Sequence, residues 1–362
     1  MDGDRARGVT IYDVAREAGV AASTVSRAFS RPGRVNAATA ERIRSVAETL
    51  GYRTNPLARA VSTARSHMLA LLVSDIGNPV YAEMVRGAQS AATEGGYTVL
   101  LADSQESDRQ ERAALERALS TVDGILLAGS RMSDAGIRMI AKQKPLVVMG
   151  RAVVDVPSVV PDNARGMRDA VEHLAGLGHT TLAYVAGPEA SWADGVRWRS
   201  LLDAAADLQL RARRIGPFSP DVPGGVHAAE ELGAQPPSAV LAYNDQLAIG
   251  VVRGLRSRGV RVPDDVSVVG FDNIGAAELI TPGLTTVAAP LRAGGAAATR
   301  TLLAMVDGIP GPTSAPVLLP VRLVVRGSTA QRRRKSTSPA SGTTNVSPSA
   351  AQASTSTSAG SR

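Results

Sequence analysis

The chain has 362 residues and no cysteine, which excludes disulfide frameworks, thiol catalysis and cysteine-ligated metal. Its four histidines, His67, His173, His179 and His227, do not form a cluster with ligand spacing, so we expect no metal site. The sequence contains no apolar run of about 18 residues, which excludes a hydrophobic spanning helix. The charged first eight residues lack the apolar core of a signal peptide. We therefore expect a soluble cytoplasmic protein.

Positive charge is concentrated at the two ends of the chain. Residues 1–66 contain eleven arginines and six acidic residues, a net charge of +5, and residues 327–362 are also at +5. Because the whole chain is at +7, the stretch between them is at −3. A basic head on an acidic body indicates that the head meets a polyanion. The last 36 residues, rich in Ser, Thr and Ala, are predicted to be a disordered solubilising tail, with non-specific DNA contact by its basic run as the alternative.

Three short helices are predicted in the first 54 residues. The first is indicated by apolar residues at helical spacing, namely Ile11, Val14, Ala15 and Ala18. Thr10 is a suitable N-cap with Asp13 three residues later, and Gly19 ends the helix. A second helix is predicted over residues 22–29 and a third over residues 37–50. This order is typical of a helix-turn-helix domain, although other three-helix bundles share it.

The second helix has a face of small and polar residues that suits entry into a DNA major groove. That face contains Ala22, Ser23, Ser26 and Arg27. Arg27 could reach a phosphate or a guanine edge, and the serines could donate to phosphates.

The middle of the chain alternates strand-like and helix-like segments. Strands are predicted over residues 69–73, 97–101, 124–127, 146–149, 181–185, 239–242 and 266–269. Helices are predicted between them over residues 81–94, 109–119, 165–177, 196–207 and 246–258. This rhythm predicts an α/β fold with parallel sheets, and the length favours two sheets of similar size with a cleft between them.

Polar residues follow several of these strands, where ligands bind in parallel α/β sheets. They are Ser74-Asp75, Ser130-Arg131, Arg151, Tyr243-Asn244-Asp245 and Phe271-Asp272-Asn273. The sequence therefore predicts a polar small-molecule site at these strand ends. For Asp245, Asp162 and Asn163 we favour helix capping and chain fixation over ligand contact, and Trp192 could face either the ligand or the body.

The chain resembles the lactose repressor/galactose repressor (LacI-type) family over residues 9–326. In the head the resemblance lies in V-T-I-Y-D-V-A-R-E-A-G-V-A-A-S-T-V-S-R-A-F, R-V-N-A-A-T-A-E-R-I and L-G-Y-R-T-N-P-L-A-R-A-V. In the body it lies in D-I-G-N-P-V-Y-A-E-M, V-D-G-I-L-L-A-G, V-P-S-V-V-P-D-N, A-Y-N-D-Q-L-A-I-G, V-P-D-D-V-S-V-V-G-F-D-N and P-G-L-T-T-V. It implies a transcription factor, most simply a repressor, with a three-helix head, a hinge helix and a two-subdomain body like the periplasmic sugar-binding proteins. The implied segments are 1–54 (DNA binding), 55–66 (hinge), 67–326 (effector binding and dimerisation) and 327–362 (tail).

The resemblance also implies specific DNA contacts. The base-reading positions correspond to Ala22, Ser23 and Arg27, and the phosphate contacts to Thr10, Tyr12, Thr24, Ser26 and Arg34. The hinge helix corresponds to residues 55–62, with Asn55, Ala58 and Val61 as DNA contacts. Two positions depart from the family pattern: Ala21 replaces a serine cap, a loss of roughly 0.5–2 kcal/mol, and Val61 replaces the leucine that wedges into the minor groove.

The resemblance further implies a polar effector, most simply a sugar, in the cleft of the body. The corresponding residues are Asp75, Tyr81, Arg197, Phe218, Asn244 and Asp272. Their acceptors and forked donors suit vicinal hydroxyls, and the aromatic rings suit a sugar ring. Arg197 could also pair with Asp272 when no ligand is bound. The partners implied are near-palindromic operator DNA, the effector and a second copy of the chain, and no cofactor is expected.

Two other functions use the same sheet plan. An enzyme is disfavoured because no phosphate-binding glycine loop, nucleophile elbow or histidine paired with a nucleophile occurs in the sequence. An extracytoplasmic sugar-binding protein is disfavoured by the basic head. We also expect a dimer rather than a tetramer, since no leucine heptad follows residue 326.

Overall fold

The computed structural model describes residues 9–30, 33–52, 65–233, 236–313 and 315–332. The head consists of three helices: α1 (Ile11–Glu17), α2 (Ala22–Ser30) and α3 (Ala37–Thr49). Its core is formed by the residues predicted to face inward, with Val14, Val25 and Ile43 fully buried. Gly19 separates α1 from α2 at a φ of +63°, which a glycine adopts without steric cost.

The predicted N-cap of α1 is confirmed, with Asp13 as the acceptor of its hydrogen bonds. Both the backbone N–H and the hydroxyl of Thr10 donate to Asp13 Oδ2, at 3.0 and 2.7 Å. Helix α2 has no such cap: the carbonyl of Ala21 accepts the N–H groups of Thr24 and Val25, but its methyl side chain offers no oxygen. The start of α1 is thus fixed more firmly than the start of α2.

The body contains two α/β subdomains. In the first, the strands are β1 (Met68–Val73), β2 (Thr98–Asp103), β3 (Gly124–Ala128), β4 (Leu146–Met149), β5 (Ser158–Pro161) and β11 (Val317–Leu319), and the helices are α4 (Pro79–Glu94), α5 (Asp108–Ala118), α6 (Asp134–Ala141) and α12 (Leu291–Val306). These strands form a parallel sheet in the order β11-β5-β4-β3-β1-β2.

The second subdomain repeats this plan. Its strands are β6 (Thr181–Val185), β7 (Arg211–Ile215), β8 (Ala239–Ala242), β9 (Ser267–Asp272), β10 (Thr285–Ala288) and β12 (Arg322–Val324), and its helices are α7 (Asn163–Gly176), α8 (Trp192–Asp207), α9 (Val222–Leu232), α10 (Asp245–Ser257) and α11 (Ala276–Leu279). The sheet order is β12-β10-β9-β8-β6-β7, with β12 antiparallel to β10. The predicted two-sheet architecture is confirmed.

Each sheet is covered by helices on both faces. Along β1, Leu69 and Leu71 pack in a cluster with residues of α4 and α12, whereas Ala70 and Leu72 pack with residues of α5 and α6. This alternation explains why the strand is apolar at every position, as strands buried on both sides are. Helices α4 and α12 lie so close that a Cβ on Gly87 would be 1.9 Å from the carbonyl oxygen of Arg292.

Consecutive segments of the chain lie in different subdomains at three places within the described residues: between β5 and α7, between β10 and α12, and between β11 and β12. Residues next to these crossings therefore lie where the two subdomains meet. Pro161 and Asn163 flank the first crossing, and Leu291 follows the second. The crossings hold both halves of a cleft in one compact unit.

The predicted tail begins too early. Residues 327–332 pack against the second subdomain, and Ser328 is fully buried. Its carbonyl accepts the N–H of Val268 at 2.8 Å, and the N–H of Arg332 donates to the carbonyl of Leu177 at 2.8 Å. This segment has few apolar residues and is held by hydrogen bonds of its backbone and hydroxyl groups. Composition alone therefore did not indicate that it is ordered. Residues 333–362 lie outside the described residues.

Candidate functional site

The head presents the residues that sequence reasoning assigned to DNA. Tyr12 is 73 % exposed on α1, and Ser23 and Arg27 are exposed one helical turn apart on α2. The remaining assigned positions of the head are exposed or half-buried: Thr10, Ala22, Thr24, Ser26 and Arg34. The head thus displays a polar surface over a packed apolar core. The hinge positions Asn55, Ala58 and Val61 lie outside the described residues.

A cavity of about 60 Å³ lies between the two subdomains. Its walls come from strand ends and helix starts of both sheets: Asn78, Val80, Tyr81, Met84, Gly129, Ser130, Arg131, Gly150, Arg151, Pro161, Asn163, Ser191, Trp192, Ala193, Arg197, Tyr243, Asn244, Asp272 and Leu291. The strand ends that the sequence indicated therefore converge on one cleft, as expected for parallel sheets.

Arg197 is a buried side chain of the cavity that is held from several directions. It is 5 % exposed, its Nε donates to Asn163 Oδ1 at 2.9 Å, and Nη1 donates to the carbonyl of Tyr243. Nη2 lies 3.5 Å from Asp272 Oδ1, so these two residues form an ion pair. The guanidinium also lies 3.6 Å from the ring centroid of Phe271, a cation–π contact. These contacts fix the orientation of its planar group.

Asp272 combines an unusual backbone with an unusual charge state. It is 9 % exposed, and its φ of 108° is a conformation that costs a non-glycine residue about 1–3 kcal/mol. Burial raises the pKa of Asp272 to about 6, although the charge of Arg197 lowers it. Strain and desolvation coincide here at the cavity wall, which is typical of a functional position.

The residues expected to play structural roles do so, with one exception. Asp162 caps α7 by accepting the N–H of Arg165 at 2.9 Å. Asp245 fixes two strand ends by accepting the hydroxyl of Thr286 and the N–H of Ile274, and burial raises its pKa to about 8, with the charge of Asp272 as a second cause. Asn163 is the exception, because it holds Arg197 and lines the cavity.

Four of the six predicted effector residues line the cavity, namely Tyr81, Arg197, Asn244 and Asp272. Asp75 and Phe218 are not among the lining residues, and their effector contacts stay a prediction. The carboxylate of Asp75 closes a turn by accepting the N–H of Gly77 at 2.8 Å. Phe218 packs against the apolar core of the second subdomain, which gives its ring a structural partner.

Arg131 and Arg151 were noted at strand ends but were not chosen as site residues, because the family pattern did not point to them. Both line the cavity, and both pair with carboxylates beyond its lining: Arg131 Nε with Glu106 at 2.5 Å, and Arg151 Nη2 with Asp134 at 2.5 Å. The strand-end position alone could have identified them.

Within the described residues there is no group of His, Asp or Glu suited to a metal ion. In that same part of the chain, no helix has the length and apolar character required to cross a membrane.

Comparisons with known protein families match both parts of the chain. Residues 10–55 match the family described as bacterial regulatory proteins, lacI family, and residues 171–329 match the periplasmic binding protein-like domain. The HTH-type transcriptional repressor CytR of Escherichia coli (strain K12) is 33 % identical over 334 residues, covering 88 % of this chain and 96 % of that protein.

Solved structures show the same architecture. A lac repressor dimer bound to operator and the anti-inducer ONPF matches with a TM-score of 0.80 and 27 % identity, covering 90 % of this chain and 100 % of that one. The transcriptional regulator CelR in complex with cellobiose matches with a TM-score of 0.66 and 30 % identity, covering 88 % and 99 %. The chain therefore belongs to the lacI family of bacterial regulatory proteins.

Proposed function

We propose that this protein is a dimeric transcriptional repressor that binds a near-palindromic operator. Its affinity for the operator falls or rises when a small polar effector fills the cavity between the subdomains. The observation that carries this proposal is the exposed polar face of α2 on a compact three-helix core. The side chains of Ser23 and Arg27 are exposed on that face, whereas Val25 is fully buried. Such a helix can enter a major groove while its other face stays packed.

The relatives support each part of the proposal. CytR is a transcriptional repressor, the lac repressor structure is a dimer bound to operator, and the CelR structure contains cellobiose. Because these relatives are bacterial regulators, we assign no catalytic residue to this chain and place its action in the cytoplasm.

In the cavity, Arg197 and Asp272 are the proposed anchors for effector hydroxyls. Arg197 is held in one orientation by Asn163, and Asp272 offers a carboxylate at the wall. Tyr81, 8 % exposed with its hydroxyl 2.6 Å from Ser74 Oγ, supplies a fixed ring edge. Asn244 completes the set from the start of α10.

The proposed link between cavity and DNA is the hinge at residues 55–62, which lies outside the described residues. Asn55-Pro56 is a sequence typical of a helix start, but helices shorter than about 12 residues are marginal alone. We infer that the hinge folds when two copies meet in the minor groove, where Val61 would act as the wedge.

Selection of DNA sequences by the full chain, followed by a titration of the selected site, tests the proposal. We expect inverted half-sites about one helical turn apart, each site bound by two chains. Val61→Gly should weaken operator binding and reduce the bend, whereas Val61→Leu should keep or tighten it. The absence of any enriched sequence would refute the proposed function, and an unaltered bend with Val61→Gly would refute the wedge.

A further inference from the structure

Arg131 lies in the cavity wall of the first subdomain with part of its hydrogen-bonding capacity unused. Its side chain is 6 % exposed, and its Nε donates to Glu106 Oε2 at 2.5 Å. Within the described residues, its two terminal NH₂ groups have no hydrogen-bond partner. Glu106 is held in place by the hydroxyl of Ser74 at 2.9 Å, so the orientation of the arginine is fixed from behind.

The acceptors of the cavity, by contrast, are largely engaged. The side-chain oxygens of Asn78, Asn163 and Asn244 each accept an N–H, from Val80, Arg197 and Leu247 respectively. The hydroxyl of Tyr81 donates to Ser74 Oγ at 2.6 Å, since Ser74 donates its own proton to Glu106, and the hydroxyl of Tyr243 is bonded to Ser191 at 3.0 Å. Asp272 is the one carboxylate among the lining residues.

Unused donors are more numerous. Arg151 is 8 % exposed and lines the cavity; its terminal nitrogens bond to Ser130, Met132 and Asp134, but its buried Nε has no partner. The indole N–H of Trp192 also has no partner within the described part of the chain. The Nε of Arg151 is buried from solvent, so the donors that a ligand in the cavity could satisfy by supplying acceptors are the terminal NH₂ groups of Arg131 and the indole N–H of Trp192.

The charges that face the ligand have the same bias. Three guanidinium groups, those of Arg131, Arg151 and Arg197, line the cavity against one carboxylate, because Glu106 and Asp134 are not among the lining residues. Glu106 and Asp134 balance two of these positive charges from behind the wall, so an anion would be held by the forked donors of the guanidinium groups rather than by an excess of charge. Guanidinium groups also match carboxylate and phosphate oxygens in a forked geometry.

We propose that the effector is an anionic sugar derivative, a sugar acid or a sugar phosphate, whose charged group binds Arg131. This inference rests on the proposed function, since it assigns the chemistry of the ligand that the regulatory cavity takes. The hydroxyls of the ligand would bind the Arg197–Asp272 pair, and its anionic group would bind the wall that follows β3.

Calorimetric titration of the full chain with matched sugars tests the inference. The probes are glucose, galactose and ribose. Each is compared with its own sugar acid, which carries a carboxylate, and with its own phosphate ester, which carries a terminal phosphate. We expect at least one charged member to bind at least tenfold more tightly than its neutral parent. The carboxylate and phosphate arms then show which anion is taken.

Variants assign the preference to Arg131. Arg131→Gln should abolish the preference for the charged probe, and Arg131→Lys should keep part of it. The double variant Arg131→Gln with Glu106→Gln removes both charges of the ion pair, so the wall stays neutral. It should also lose the preference for the charged probe. The control is Arg258→Gln. Arg258 does not line the cavity and pairs with Glu230 at 2.8 Å, so this variant should bind the charged probe like the parent.

Three results would overturn the inference: no charged probe binds, neutral parents bind as tightly as their charged derivatives, or the preference survives in both Arg131→Gln variants. If a neutral sugar binds and Asp272→Asn removes that binding, the proposed function stands and this inference fails. If the chain enriches no DNA sequence, the proposed function fails separately.

Discussion

Replacing Asp272 by asparagine should make the stability of the body less dependent on pH. In the parent, burial raises the pKa of Asp272 to about 6, whereas in an unfolded chain it is about 3.9. The folded state therefore binds more protons than the unfolded state between these values, and stability falls as the pH rises through that window. Asparagine has nearly the same shape as the neutral carboxylic acid and does not ionise.

The size of the effect follows from the pKa difference. About two pKa units at about 1.4 kcal/mol each give a loss of about 3 kcal/mol in the parent above pH 6. Between about pH 4 and about pH 7 the parent should lose about 2 kcal/mol that the variant does not. The attraction between Arg197 and the ionised carboxylate is already included in this pKa, since the charge of Arg197 lowers it. The pKa of Asp245 should fall in the variant, since the charge of Asp272 is one of the causes that raise it.

Urea unfolding of the parent and Asp272→Asn across this pH range measures the difference. At each pH, the unfolding free energy of the parent is subtracted from that of the variant. This difference should increase as the pH rises. Asp203→Asn, at an exposed position of α8, serves as the control for the loss of a carboxylate. A difference that is flat with pH, or that favours the parent at higher pH, would refute the reasoning.

Three further substitutions test the fold around the sites. Gly129→Ala should destabilise the body by about 1–3 kcal/mol in urea unfolding, because φ is +70° and a Cβ would lie 2.2 Å from the hydroxyl of Tyr81; an unchanged midpoint would contradict the geometry. Asp13→Ala should cost the head about 0.5–2 kcal/mol in thermal unfolding by removing the acceptor of Thr10, and equal melting would contradict the cap. Asp194→Ala should cost about 3–5 kcal/mol, because it is 2 % exposed and accepts three hydrogen bonds, and a loss below about 1 kcal/mol would show that these donors find other partners.

The periodicity of apolar residues was sufficient to predict the central strands of the body and the helices of the head. The predicted strands at residues 146–149, 181–185 and 239–242 have the observed bounds, since each is a short apolar run that is buried on both faces. Five of the strands that the structure describes were not predicted, namely β5 and β10 inside the sheets and β7, β11 and β12 at their edges, whereas the edge strand β2 was predicted over residues 97–101. One of them, β7, contains three arginines in five residues, and at an edge half of such a strand can face solvent.

The place of the cavity could be predicted from the sequence, but its full lining could not. Strand-end logic located the cavity, because parallel strands place their carboxyl ends on one side of a sheet. The positions of Asp75 and Phe218 could not be obtained this way, since a local turn and a packing choice decide where their side chains point. Arg131 was not chosen, because the family pattern did not point to it and the sequence does not show that it shares a cavity with residues as distant as Arg197 and Asp272.

The central claim is that α2 reads DNA, and the affinity of Arg27→Ala for the selected operator tests it most directly. The matched control is Arg42→Ala, which removes another exposed arginine of the head, from α3. Each variant is titrated at fixed salt against the operator and against a scrambled duplex. If α2 is the recognition helix, Arg27→Ala should lose about 1–3 kcal/mol on the operator and little on the scrambled duplex, whereas Arg42→Ala should change both alike. Equal discrimination by the parent and Arg27→Ala would contradict the account.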